Sequence, residues 1–333
     1  PSSARKVLIC RRPSGSLVQI RSQCLQKRAS VKTISEDLSR AHGVPAGHPA
    51  SGAAYALAAY LFWGFAPVYF VWVSFALPLE VLAHRIIWSL PLLAVLITLA
   101  RQWPALLALT LRQLSTLLVC SVLLSINWLT FVYAVQSGRI AETALGYFIN
   151  PLVSIVLGGV FLRERLRRWQ WVAAGIAAAG VAGELLLHNE LPWLGLVLAG
   201  SFGVYGLLRR QLAIPSSVGL GVEASVVAPL AAAYLIYAAI SSQHADRSAE
   251  QLLMLGLGGV VTVTPLVWFA AAAIRLPLAT LGFFQYIAPS LSLLLAIFVY
   301  SEPVSGARWS TFILIWSGLI VFSVESLIHH RQR

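Results

Sequence analysis

Charge is what this chain has least of. Only 11% of its 333 residues are Asp, Glu, Lys or Arg, against about a quarter in a soluble domain. With 58% hydrophobic residues, the chain holds more apolar surface than one folded core could bury, and this excludes the soluble classes. Lysine stops at Lys32. A GxxxxGK[ST] phosphate loop therefore has no place in the apolar body, and ATP drive is not expected. Cysteine is limited to Cys10, Cys24 and Cys120, with no CxxC pair and no Cys/His cluster, so no disulfide framework and no metal site are expected. There is no HExxH and no nucleophile with a placed base, and no cofactor is expected. The net charge of +12 comes without any basic and aromatic platform, so nucleic acid is not an expected partner.

What is present is long apolar runs. Ten spans of roughly 20 residues suit a bilayer core about 30 Å thick. They are Ala53–Ser74, Leu79–Ala100, Leu114–Val135, Thr143–Leu162, Trp169–Leu187, Leu191–Leu208, Leu220–Ile240, Leu252–Ala273, Leu278–Tyr300 and Trp309–Ile328. Lipid offers no partner to open backbone groups, so these spans are expected to be helices and the fold all-α.

The runs also repeat. Moving the first half by 138 places Pro151, Ser154, Glu164, Trp171 and Gly180 on Pro289, Ser292, Glu302, Trp309 and Gly318. Such agreement among Pro, Glu, Trp and Gly in one register points to an internal duplication. The expected organisation is a basic disordered tail (1–50), a first five-helix repeat (51–188), a second (189–328) and a short C-terminal tail (329–333). The first tail also has the composition of a transit peptide, and upstream sequence before a start site is a third reading of it.

Five helices per repeat is an odd number, so the two halves are expected upside down to each other. Arginine bias agrees. With both termini cytoplasmic, the inner loops hold the hinge from Arg163 to Arg168 together with Arg101, Arg112, Arg209, Arg210 and Arg275. The outer loops hold only Arg139, Arg247 and Arg308. Inverted repeats signal an alternating-access carrier with its site near the midplane. Gly175, Ala179 and Gly183, and then Gly195, Ala199 and Gly203, recur every fourth position and are expected at close helix contacts inside the monomer, with a homodimer seam as the competing use.

Leu61–Phe70 (LFWGFAPVYF), His84-Arg85, Ile126-Asn127-Trp128, LGYFINPL from Leu145, Ser201–Arg210 and Phe283–Pro289 (FFQYIAP) resemble the RarD family. That family is an EamA-type branch of the drug/metabolite transporter superfamily. The resemblance covers roughly Gly52 to Ser323. It implies ten helices as two inverted EamA repeats, a bacterial inner membrane and carrier activity.

Ionisable residues within spans are costly and are functional candidates by default. Arg85 suits the carboxylate of an anionic or zwitterionic substrate, and a pair with Glu80 on its own helix is the structural alternative. His84, Glu80 and Glu223 are the coupling candidates, Glu80 and Glu223 being related by a shift of 143. Asn127, Asn150 and Gln285 bring polar groups to membrane depth, with Trp128 and Tyr286 among the aromatic walls. Pro151 and Pro289 are the hinge candidates, because proline removes a donor from the helical ladder. Trp63, Trp72, Trp103 and Trp193 are expected as interfacial anchors, and Glu164 and Glu302 as helix caps or arginine partners. The leading reading is a proton-driven exporter of small amphiphilic metabolites or drugs. A non-transporting receptor or assembly factor and, further off, a membrane-embedded enzyme are the alternatives.

Overall fold

The computed structural model describes residues 49–161, 168–188, 191–212, 214–241, 247–273, 275–276 and 284–331. The N-terminal tail to residue 48, Glu164 with most of its arginine hinge, and residues 277–283 lie outside the described residues.

Among the described residues the secondary structure is helical, with no strand. The elements are α1 (Pro49–Trp72), α2 (Pro78–Leu99), the short α3 (Trp103–Leu107), α4 (Leu111–Gln136), α5 (Ile140–Phe161), α6 (Arg168–His188), α7 (Trp193–Leu212), α8 (Ser216–Ile240), α9 (Ala249–Ala273), α10 (Ile287–Leu294) and α11 (Gly306–Arg331). Five of them, α1, α2, α4, α8 and α9, carry apolar stretches long enough to cross a membrane.

Local chemistry fixes several ends. Pro78 opens α2, where its missing N–H costs nothing. Thr110 and Gln113 form a capping box at the start of α4. Pro67, Pro91, Pro229 and Pro265 lie inside helices. Pro289 differs from the expected hinge. It sits in the first turn of α10, where no ladder donor is lost, and the irregularity comes later, as a π-helical turn over Leu295–Val299.

Glycine sets the closest approaches, which matters because apolar burial gives no net drive between helices in lipid. A Cβ on Gly146 of α5 would stand 2.7 Å from the Gly195 carbonyl oxygen of α7. Gly259 of α9 lies against the Trp88 backbone of α2, where a Cβ would come within 2.5 Å. The two expected glycine rows fare differently. Gly195 and Gly203 on α7 do make close contacts, with α5. Gly175 and Gly183 on α6 meet nothing within 4 Å among the described residues. On α6 the close approach is made by Gly180, off that row, because spacing marks a small face but not the neighbour it meets.

The α6–α11 contact is reciprocal. Gly180 lies against Thr311 and Leu314, while Gly318 lies against Ala173 and Ile176. The Thr311 hydroxyl donates to the Gly180 carbonyl at 3.2 Å. Each partner is the other's counterpart in the 138-residue shift, and the pairing runs antiparallel.

Candidate functional site

The polar residues that the apolar helices had to accommodate come together around Arg85 on α2. Gly258 and Gly259 let α9 come close, and Thr262, one turn after Gly258, then meets the arginine. Arg85 Nε donates to Thr262 Oγ1 at 2.5 Å, and Thr262 in turn donates to the Gly258 carbonyl at 2.7 Å. The guanidinium lies over Trp128 of α4 at 4.2 Å from the ring centroid and 5.5 Å from that of Phe70 on α1. A desolvated contact of this kind is worth about 2 kcal/mol.

Arg85 is only 8% exposed, yet no carboxylate pairs with it among the described residues. The expected Glu80 alternative fails because Glu80 has a better partner. Arg247, just before α9, holds it through Nη2–Oε2 at 2.9 Å and Nε–Oε1 at 3.3 Å, and gives Nη1 to the Phe75 carbonyl.

Asn127, adjacent to Trp128, is buried and spends its amide across the helix gap. Nδ2 donates to Leu198 O and Ser201 Oγ of α7, both at 3.0 Å, and Oδ1 receives the Tyr147 hydroxyl at 3.5 Å. Tyr147 of α5 lies tilted against Phe131 at 5.8 Å, and Phe131 meets Phe70 edge-on at 5.6 Å. Asn150 follows Tyr147 by about one turn. It is buried, and its Oδ1 accepts nothing. The result is a cation, orphan or half-used amides and an aromatic wall, drawn from α1, α2, α4, α5, α7 and α9.

Other candidates lie elsewhere. Gln285 and Tyr286 are half-buried ahead of α10, and Tyr286 packs on the central apolar cluster. Pro289 is buried in α10, while the side chain of Pro151 lies outside the described set. His84 has an unpartnered Nδ1 and sits in the field of Glu80 and Arg247. Glu223 meets Arg209 and Tyr205 of α7 instead. Helices α2 and α8 run antiparallel, with Gln102 against Ser217 and Ile97 against Gly221, so Glu80 and Glu223 mark opposite ends of that pair. Trp63 is half-buried. It packs 5.3 Å from Tyr60 and 5.9 Å from Phe269. Trp72, Trp103 and Trp193 are exposed.

At the Glu80 end a cavity of about 340 Å³ opens among Val71, Val135, Gln136, Ile140, Tyr300 and Glu302. Glu302 caps a helix, though not the next one. Its carboxylate takes the Ile140 and Ala141 amides at 2.6 and 2.9 Å, finishing α5 from far along the chain. Burial pushes this carboxyl up, and the two amides and Arg308 pull it part of the way back. Beside it Glu142 gathers Arg139 at 2.6 Å and Arg308 at 3.1 Å.

Sequence reasoning missed Thr262, Phe70, Arg209 and Arg247. The two arginines had been counted only for orientation. Thr262 is one polar residue in an apolar helix, and only the glycines before it hint at a close neighbour.

The EamA-like transporter family matches residues 50–185. The chain is 44% identical over 276 residues to an uncharacterized transporter of Vibrio cholerae, covering 82% of this chain and 91% of that one. It is 44% identical over 285 residues to the protein RarD of Escherichia coli, covering 84% and 96%. An uncharacterized transporter of Bacillus subtilis, YojE, is 40% identical over 282 residues, covering 83% and 94%. A solved crystal structure at 20% identity shares the fold, with a TM-score of 0.55 over 83% of this chain and 98% of that one.

Proposed function

The chain belongs to the EamA-like transporter family, among its RarD-type members, and is an integral, multi-pass membrane transporter of the drug/metabolite superfamily; on that premise we propose that it is an alternating-access secondary carrier that exports small amphiphilic molecules from the cytoplasm in exchange for protons. The observation that carries this reading is Arg85. A buried guanidinium without a carboxylate is expensive in a membrane interior, and a structural role would have supplied its counter-ion. Here the charge lies over Trp128 and is oriented by Thr262 through Nε alone, with no hydrogen bond to either Nη group among the described residues. It suits the anionic end of an amphiphile, whose apolar body the aromatic wall would cover.

The carrier consists of ten spans in two inverted five-helix repeats, lies in a bacterial inner membrane and keeps both termini in the cytoplasm. Three features support the inversion. The Gly180 and Gly318 contact is reciprocal and antiparallel. Helix α5 packs on α7 as α10 packs on α1, and α4 packs on α7 as α9 packs on α1. Gly203 meets Val153, and Gly64 meets Leu291, which is Val153 moved by 138. A reporter fused at Arg167 is expected inside and one at Ser305 outside; both on one side would rule the inversion out.

Counterflow in proteoliposomes tests the carrier itself. A panel of amphiphilic acids, amino acids and amphenicols is offered to the native protein, Arg85→Ala and Asn150→Ala. One class should accumulate, and only with the native protein. Equal accumulation with Arg85→Ala would remove that residue from the site.

A further inference from the structure

Of the two equivalent glutamates, one is locked and the other is loose. Glu80 has a bidentate arginine. Glu223, 2% exposed on α8, has a single ion-pair contact, Arg209 Nε to Oε1 at 3.6 Å. Its Oε2 accepts the Tyr205 hydroxyl at 3.2 Å, and its Oε1 accepts no hydrogen bond. Arg209 is equally underused. Nη1 is buried without an acceptor, and Nη2 reaches only the Ser216 carbonyl at 3.5 Å. Buried charged groups normally find full sets of partners, so two adjacent shortfalls mark a pair that is held but not sealed.

A cavity of about 10 Å³ touches Glu223, with Ser121, Ser125 and Trp128 among its lining. That is close to the least volume that holds one water. Trp128 is also the ring beneath Arg85, so this space reaches the back wall of the substrate site. The charged and titratable groups facing Glu223 are few. Helix α7 brings Arg209 and Tyr205, α4 brings Cys120, and α2 brings only apolar Ile86 among the described residues.

We propose that Glu223 is the proton-binding site of this carrier, with Arg209 as the competitor that a proton displaces. This rests on the carrier reading above. A proton delivered through the water-sized space adds to Glu223 Oε1, and the carboxylate becomes a neutral acid. Arg209 keeps its own proton and charge, loses its counter-ion and leaves for the solvent at the end of α7. The gap between α7 and α8, both of which pack on the Cys120 helix α4, is then free to widen. Glu80, sealed by Arg247, plays no part in the exchange. Gly219 is what makes the arrangement fit, because the Arg209 guanidinium occupies the space that a Cβ on residue 219 would need.

Cys120 reports this without any substrate. It is fully buried, in the electrostatic reach of both Glu223 and Arg209. The experiment uses full-length protein in nanodiscs with Cys10→Ser and Cys24→Ser, labelled by N-ethylmaleimide from pH 5 to 8. Rates are normalised at each pH to the unfolded protein. Native Cys120 should be protected at pH 8 and should label at least tenfold faster at pH 5. Glu223→Gln should label fast at every pH. Gly219→Ala displaces Arg209 but leaves both charges in place, so the proton meets a weaker competitor and protection should be lost at a higher pH than in the native protein. Glu80→Gln should follow the native curve. Size exclusion and helical content confirm that each variant is folded. Labelling that does not change with pH in the native protein, or a Glu223→Gln curve that follows it, overturns the proposal. Because labelling needs no transport, a pH-dependent Cys120 beside a silent counterflow panel would count against the carrier reading and leave the proton site standing.

Discussion

Arg85 and Trp128 form one unit across two helices, the guanidinium carbon on α2 standing 4.2 Å from the indole centroid on α4. The contact needs a flat cation, and lysine is not flat. Arg85→Lys keeps the charge but loses both the stack and the Nε bond to Thr262. For whichever substrate the counterflow panel identifies, the initial rate should fall at least tenfold, and Arg85→Ala should fall further. A lysine variant at the native rate would mean that the planar geometry is irrelevant.

Packing at the α5–α7 crossing makes a second prediction. Gly146→Val places atoms where the Gly195 backbone already lies. Overpacking of this kind costs about 1–3 kcal/mol. The melting temperature in detergent should drop by several degrees. Gly200→Ala on the same α7 meets open space and should change little.

A third concerns the sealed carboxylate. Removing one partner of a mostly buried ion pair costs roughly 3 kcal/mol, because the other charge is left behind. Glu80→Gln and Arg247→Gln should each destabilise by about that much. The double variant should cost clearly less than the two together, and a melting-temperature cycle reads the coupling. Additive losses would mean that the pair is not coupled.

The fourth concerns the α5 cap. Glu302→Ala leaves two amides of the first turn without acceptors, a loss of about 1–2 kcal/mol. Hydrogen exchange should rise at Ile140 and Ala141 while mid-helix amides of α5 stay protected. Unchanged exchange at those two residues would mean that the carboxylate does not cap the helix in the membrane.

The sequence made the expensive residues visible, because a charge or amide at membrane depth stands out against an apolar run. Arg85, Asn127, Asn150 and Glu223 were legible for that reason. Their partners were not. Thr262 lies 177 positions from Arg85, and Arg247 lies 167 from Glu80. Such pairings are decided by helix packing, and on uniformly apolar helices no amphipathic stripe reveals it in advance. Small residues were a weaker guide than their spacing suggested. The row at Gly175 and Gly183 looked like a seam, while the contact fell to Gly180. Pro289 was legible as an interruption, but its role depended on where α10 begins.

A ribosome making this chain completes α5 long before it reaches Glu302. Through the 161 or 162 residues that separate cap from helix, the Ile140 and Ala141 amides must rely on water, lipid headgroups or the insertion machinery. The first half of the chain is therefore released with an unfinished end, and its last fitting is supplied by the second half. A chain cut short between the halves keeps those two amides without their carboxylate.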